Sequence, residues 1–336
     1  MKTAHREVGG RGRPERAREA DASPAPLHTP AGRSRTLRQR LRQNWLLLAF
    51  ALPGMLVILV FHYLPLLGNV IAFKDYLPFI GVLDSEWVGW ANFEVITSGD
   101  QRFLNALQNT LIITLVQTVF VFPLPIALAL LLNSLLSERA KRVVQSITYL
   151  PHFLSWVIVV ALFQTILGPT GSISTWLRAH GHEALDIIGN SDVFITLITS
   201  QVMWKDTGWA AIVFLAALSQ VDSSLYESTS VDGAGRWRQL WHVTLPGLRG
   251  IIILLFILQL GSSLTVGFEQ LVLQQEMVGL QAAEVLDTYV YNTGVVGGNW
   301  GEATAVGLVK GVIGVCLVLG ANKVAHVFGE AGVYQK

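Results

Sequence analysis

The sequence predicts an all-α membrane protein with six transmembrane helices, and three observations carry that prediction. Fully 51% of the residues are hydrophobic and only 14% charged, where soluble domains run near a quarter charged; the mean hydropathy is +0.48. The apolar residues are gathered into six runs of about 20 or more, the length a helix needs to cross a hydrocarbon core of ~30 Å. Lys and Arg are shared unequally between the segments that join those runs, as expected of a multi-pass protein.

Residues 1–44 come first and hold 11 of the 24 Lys and Arg, with Pro14, Pro24, Pro26 and Pro30 and almost no large apolar side chains. Such a segment cannot offset its ordering entropy by burial, so a disordered cytoplasmic tail is predicted. It lacks the aromatic interleaving of a nucleic-acid-binding arm, and no nucleic acid is expected as a partner. The first span is residues 45–67, too long for the apolar core of a cleaved signal. An outer loop at 68–105 follows, rich in aromatics: Phe73, Tyr76, Phe79, Trp87, Trp90 and Phe93. Singly these suit the interfacial aromatic belt; as a set they could form a dock for an extracytoplasmic partner.

The second and third spans are predicted at 106–132 and 143–167. Pro123, Pro125 and Pro151 lie inside them, as Pro53 does in the first, where neighbouring helices can satisfy the freed carbonyls. In the next loop His180 and His182 lack a third ligand and read as solvated, so no metal site is expected. The fourth span, 194–218, carries Lys205 and Asp206 near its middle, each costing roughly 2.5–3.5 kcal/mol on insertion scales. As sequence neighbours they point about 100° apart, and two readings stand. Each pairs with a neighbouring helix, or Met203, Trp204, Lys205, Asp206 and Trp209 line a wet solute path, where sugars would stack on indoles and hydrogen-bond the carboxylate.

Between the fourth and fifth spans lies a charged island, residues 223–246. Ser224 and Glu227 have the spacing of a capping box. Gly233, after Asp232, can take the positive φ that ends a short helix in a tight turn. A second helix then presents Trp237, Leu240, Trp241 and Val243 as one apolar stripe until Pro246 sets a boundary. The expected product is a helix–turn–helix bracket that a soluble partner could hold. The fifth and sixth spans are predicted at 248–270 and 303–327. Glu269 would end the fifth at the outer surface and pair with Lys310 of the sixth as an outer gate. The Gly-rich stretch 294–301 lacks a Gly-Lys-Ser/Thr ending and reads as a turn. Cys316, the single cysteine, excludes an internal disulfide.

With the N-terminus cytoplasmic, the inner segments and their short flanks hold 19 Lys and Arg and the outer loops 3, namely Lys74, Arg102 and Arg178. Both termini and the bracket are therefore expected in the cytoplasm.

The bracket also supports a resemblance. Glu227, Gly233 six residues on, then Val243, Leu245 and Pro246 resemble the EAA loop of ABC-importer permeases, and Asp232-Gly233-Ala234 is similar to that family's Asp-Gly-Ala. Ser228 and Thr229 stand where the family has two alanines, which leaves the first helix's contact surface slightly more polar. Phe61-His-Tyr-Leu-Pro65, Ala72-Phe-Lys-Asp-Tyr76, Tyr149-Leu-Pro-His-Phe-Leu-Ser-Trp156, Gly267-Phe-Glu-Gln270 and Asp287-Thr-Tyr-Val-Tyr291 look like the polysaccharide and oligosaccharide branch of the carbohydrate uptake permeases, relatives of the maltose-transporter permeases. The resemblance covers about residues 40–336. It implies a MetI-like six-helix fold in the plasma (inner) membrane and a second homologous permease, making a heterodimer. It also implies two cytoplasmic ABC ATPase subunits and an extracytoplasmic sugar-binding protein. Glu227, Ser228, Thr229, Asp232, Gly233, Ala234 and Pro246 would then couple the chain to the ATPase.

The residues agree on one point independently. No phosphate-binding Gly-x-x-x-x-Gly-Lys-Ser/Thr occurs anywhere, so the chain is expected to be no enzyme and to have no cofactor, ATP being bound by a partner subunit. The alternative is an ion-coupled secondary transporter using Asp206. That class would want internal repeats, and none is visible.

Overall fold

The computed structural model describes residues 45–327 together with 329 and 332; the predicted tail lies outside them. The chain divides at His62/Tyr63 into two units. In the first, helix α1 (Trp45–Ile58) is apolar on every side, has no buried side chain and runs through Pro53 without ending. An apolar helix with nothing packed on its own flanks suits a lipid environment.

The second unit is built on α2 (Gln101–Phe120), α3 (Pro123–Ser134), α4 (Glu138–Tyr149), α5 (Trp156–Leu167), α6 (Ser172–Ala179), α7 (Ser191–Leu218), α8 (Ser223–Val231), α9 (Arg236–Gly261) and α10 (Trp300–Val327). Among the described residues, Trp45–Phe73, Gln101–Ser134, Trp156–Ala179, Arg236–Gly261 and Trp300–Val327 are each long and apolar enough to cross a bilayer. Helix α7 passes only together with α8, to which it is joined at a 71° bend. The reason is visible in its sequence: Gln201, Lys205 and Asp206 interrupt its middle.

Helix α7 is the centre of the unit. It lies against α3, α4 and α9, and Ala129, Ala211, Phe214, Leu218 and Leu248 form a buried cluster where they meet. Its N-terminal half meets α2 and the segment after α9 through Ile113, Phe194, Ile198, Val266 and Leu271. Gly208 permits the α4 crossing: a Cβ there would stand 2.0 Å from the Thr148 carbonyl oxygen.

Three expectations need correction. The third span is not continuous over 143–167. Helix α4 ends at Tyr149, Pro151 opens a 3-10 turn at Leu150–Phe153, and Ser155 then caps α5 by accepting from Ile158 N. The fifth span does not reach 270. Helix α9 stops at Gly261, and the chain turns through Ser262 and Ser263 into the short helices Phe268–Val272, Gln275–Val278, Leu280–Ala283 and Leu286–Val290. Pro246 is no boundary either. A π turn at Leu240–Thr244, closed by Leu245 N donating to Leu240 O, lets the helix pass through a residue that has no N–H to give.

Candidate functional site

The bracket begins at Asp222, whose carboxylate accepts from Ser224 N at 2.9 Å. Asp222, rather than the expected Ser224–Glu227 box, caps α8. That backbone hydrogen bond holds the Asp222 carboxyl below the usual carboxylate range. At the other end Gly233 has φ +76°. Ala234 N donates to Thr229 O at 2.9 Å and Gly233 N to Ser230 O at 3.1 Å, a complete Schellman stop.

The two arms are tied together. Gln239 Nε2 donates to Ser230 Oγ at 2.8 Å and to Tyr226 O at 3.3 Å, and Tyr226 OH shares a 3.1 Å hydrogen bond with Thr244 Oγ1. Glu227, Ser228, Asp232 and Gly233 are exposed; Thr229 and Ala234 are half-buried. The Ser228 and Thr229 hydroxyls turn back on the Leu225 carbonyl at 3.0 and 2.9 Å. Both bond within their own helix, so the two substitutions add less free polarity to the α8 surface than their composition suggests. Of the predicted stripe, Val243 is buried and Leu240 half-buried, while Trp237 and Trp241 face outward, 75% and 63% exposed.

In mid-span the two charges of α7 grip one residue of the third span's break. Lys205 is buried, and its Nζ donates to the His152 and Leu154 carbonyls at 2.7 and 2.8 Å. It also lies 5.5 Å from the Trp156 ring. Asp206 Oδ1 meets His152 Nδ1 at 2.9 Å, and the His152 ring stacks on Trp209 at 4.6 Å. Lys205 thus pairs with the broken span, the first of the two readings, and is not among the residues lining the two cavities beside it. The helix that breaks at Pro151 leaves carbonyls open, and an ammonium one helix away closes them.

Asp206 does line a cavity, of about 430 Å³, between α2, α3, α7 and α9. Gln117, Thr207, Gln259 and Ser262 share that wall. Gln117 Nε2 and Thr207 Oγ1 are buried beside it without a hydrogen-bond partner, where most buried polar atoms have one. Met203 and Trp204 face a second, more apolar cavity of about 460 Å³ against α3 and α4. Sequence reasoning missed His152, Gln117, Gln259 and Ser262. The two glutamines had a usable signal: each is a lone polar side chain in an apolar run.

The expected Glu269–Lys310 pair is absent. Lys310 Nζ is bonded to Asp287, and Glu269 is exposed on the helix Phe268–Val272. The early end of α9 is the cause, because it moves Glu269 off the span whose rim it was expected to form. His180 Nδ1 bonds the Trp176 carbonyl at 2.8 Å.

Set beside known proteins, residues 120–329 match the family described as binding-protein-dependent transport system inner membrane component. The chain is 42% identical over 317 residues to the polygalacturonan/rhamnogalacturonan transport system permease protein YteP of Bacillus subtilis (strain 168), covering 94% of this chain and 98% of that one. It is 43% identical over 294 residues to protein LplB of the same organism, covering 87% and 92%. Among solved structures, a chain of the bacterial alginate ABC transporter in complex with alginate pentasaccharide-bound periplasmic protein superposes with a TM-score of 0.80. That pair is 35% identical over 89% of this chain and 100% of the other.

Proposed function

The chain belongs to the family of binding-protein-dependent transport system inner membrane components, and we propose that its bracket and the Asp206 cavity form one lever by which such an importer moves an oligosaccharide. It is the multi-pass permease subunit of an ABC importer, not the ATPase, and works with an extracytoplasmic binding protein. The relatives named for polygalacturonan/rhamnogalacturonan and for alginate support a sugar polymer as the solute class. The ion-coupled alternative, with Asp206 carrying the coupling ion, gives way to that membership.

The observation that carries the mechanism is the continuity of α9. One helix runs from Arg236 in the bracket to Gly261, and Leu255, Leu258 and Gln259 near its far end line the Asp206 cavity. The bracket's other arm joins α7, which supplies Asp206 and Thr207 to the same wall. A push on α8 therefore reaches both sides of the cavity through helices, which transmit it as rigid bodies. In this reading Glu227, Ser228, Thr229, Asp232, Gly233 and Ala234 dock in the cytoplasm on one of two ATPase subunits, with Pro246 inside the transmitting helix. A second, homologous permease completes the path, and both termini are cytoplasmic. ATP stays with the partner. In the cavity the side chains of Gln117, Gln259, Thr207 and Ser262 suit sugar hydroxyls, with Asp206 as acceptor; Met203 and Trp204 line the neighbouring cavity, and Trp209 stacks on His152 beside Asp206.

The test is recovery of the ATPase from membranes with wild type and with Gly233→Asp. The variant adds a side chain where φ is +76° and a charge at the docking face. Normal insertion with loss of the ATPase supports the lever; equal recovery by both proteins rejects it.

A further inference from the structure

The loop that follows the helical run ending at Phe73 is built as a closed hairpin. Lys74 pairs with Trp87 and Asp75 with Glu86 across a short antiparallel ladder. All three hydrogens of the Lys74 ammonium are used inside the loop: Nζ donates to the carbonyls of Val82, Leu83 and Ser85 at 2.7, 3.0 and 3.1 Å. The buried Ser85 hydroxyl donates to Gly81 O at 2.6 Å and accepts from Leu77 N at 3.2 Å. Ile80 N and Gly81 N both donate to Leu77 O at 3.1 Å. The base is braced by the Phe73 ring, stacked on Trp87 at 5.7 Å and met edge-on by Trp90 at 5.3 Å.

The side chains at the tip are turned the other way. Leu77, Phe79, Ile80 and Leu83 are exposed, Phe79 by 82% and Leu83 by 91%. A loop in water has no need to turn its carbonyls inward onto an ammonium and its leucines outward. A loop that enters lipid needs both, because hydrocarbon offers no donors to a free carbonyl. We propose that the tip of this hairpin, Leu77 to Leu83, is a membrane-interface wedge seated in the outer leaflet, with the Lys74 ammonium as its internal carbonyl cap.

Three features favour lipid over a protein as the occupant. The hairpin starts one residue after the apolar run Trp45–Phe73, which is exposed and apolar at Tyr63, Leu64, Leu66 and Leu67 before residues 68–73 become half-buried or buried. The tip therefore follows an exposed apolar stretch of the span closely along the chain. Trp87 and Trp90, both exposed, have the amphipathic rings that collect at headgroup depth. The exposed Asp75, Asp84 and Glu86 form an acidic rim that the ammonium of a phosphatidylethanolamine headgroup complements. The wedge would fix the depth of the outer end of the span and of the loop behind it, and it does not depend on which solute the protein carries.

The experiment places an environment-sensitive fluorophore on Phe79→Cys, Leu83→Cys or Asp75→Cys in the full-length Cys316→Ser chain, Cys316 being the single cysteine. Each protein is reconstituted in phosphatidylethanolamine-rich vesicles and challenged with aqueous iodide or with lipid doxyl-labelled high on its acyl chain. The wedge predicts quenching by doxyl lipid and loss of iodide quenching at 79 and 83, with iodide access kept at 75. Iodide quenching at 79 and 83 overturns it. Protection from both quenchers also overturns it, in favour of a protein covering the tip. Adding Lys74→Met is expected to return iodide access at 83; an unchanged pattern rejects the ammonium's role.

Discussion

Lys205 and Asp206 stand side by side in mid-span and illustrate how much a residue's neighbours decide. From sequence both are intramembrane charges, and both are candidates for touching solute. In the structure the ammonium is held by two carbonyls at the third span's break, while the carboxylate meets His152 and keeps one side on a cavity. Lys205→Met would leave two carbonyls without that donor, each costing about 1–3 kcal/mol, so a loss of about 3 kcal/mol is expected. The measurement is thermal unfolding in detergent beside uptake in vesicles. A variant that melts like wild type yet fails to transport would return Lys205 to the solute path.

At the scale of the element, the bracket depends on its two ends. The Gly233 stop was legible because only glycine takes that backbone region freely. The cap was misplaced by two residues, since Asp222, Ser223 and Ser224 are all competent caps and only the backbone path chooses among them. Because Ser224 N holds the Asp222 carboxyl below its ordinary value, the cap stabilises α8 fully above the unfolded-state pKa. That stabilisation is lost as pH falls through the depressed folded-state value, below about pH 4. The protection factor of the Ser224 amide, its exchange rate corrected for the intrinsic pH dependence, should fall in that window, and Asp222→Asn should hold the protection factor constant across the same range. An Asn variant with the same acid sensitivity would place the titrating group elsewhere.

At the scale of the whole unit, the segment between α9 and α10 is pinned at several points distant in sequence. Arg102 at the start of α2 clamps the buried Glu284 at 2.8 and 2.6 Å, and Asn292 donates to the same carboxylate at 3.0 Å. Gln270 and Gln274 bond Gln201 of α7 at 2.6 and 3.0 Å, all three amides buried. Arg102→Ala leaves Glu284 buried with only an amide to face. A loss of about 2–3 kcal/mol is expected, below the full value for a buried pair because Arg102 is half exposed. Glu284→Gln, which removes the charge itself, should cost less. Equal melting of Arg102→Ala and wild type would show that the clamp adds nothing to stability.

The class of the protein, the apolar runs and the helix–turn–helix bracket are legible in the residues alone. Each depends on a local signal: the length of an apolar run, a glycine after a short helix, the spacing from Glu227 to Pro246. The partners of the buried charges are set by packing between distant segments. Lys310 bonds Asp287 instead of Glu269, Lys205 bonds the broken third span, and Arg102 reaches Glu284. The physical reason is that a charge or amide in a low-dielectric interior takes whichever complementary group packing brings within about 3 Å. That distance depends on where each helix stops, here Gly261 and Tyr149, and stops of this kind follow from contacts with other helices.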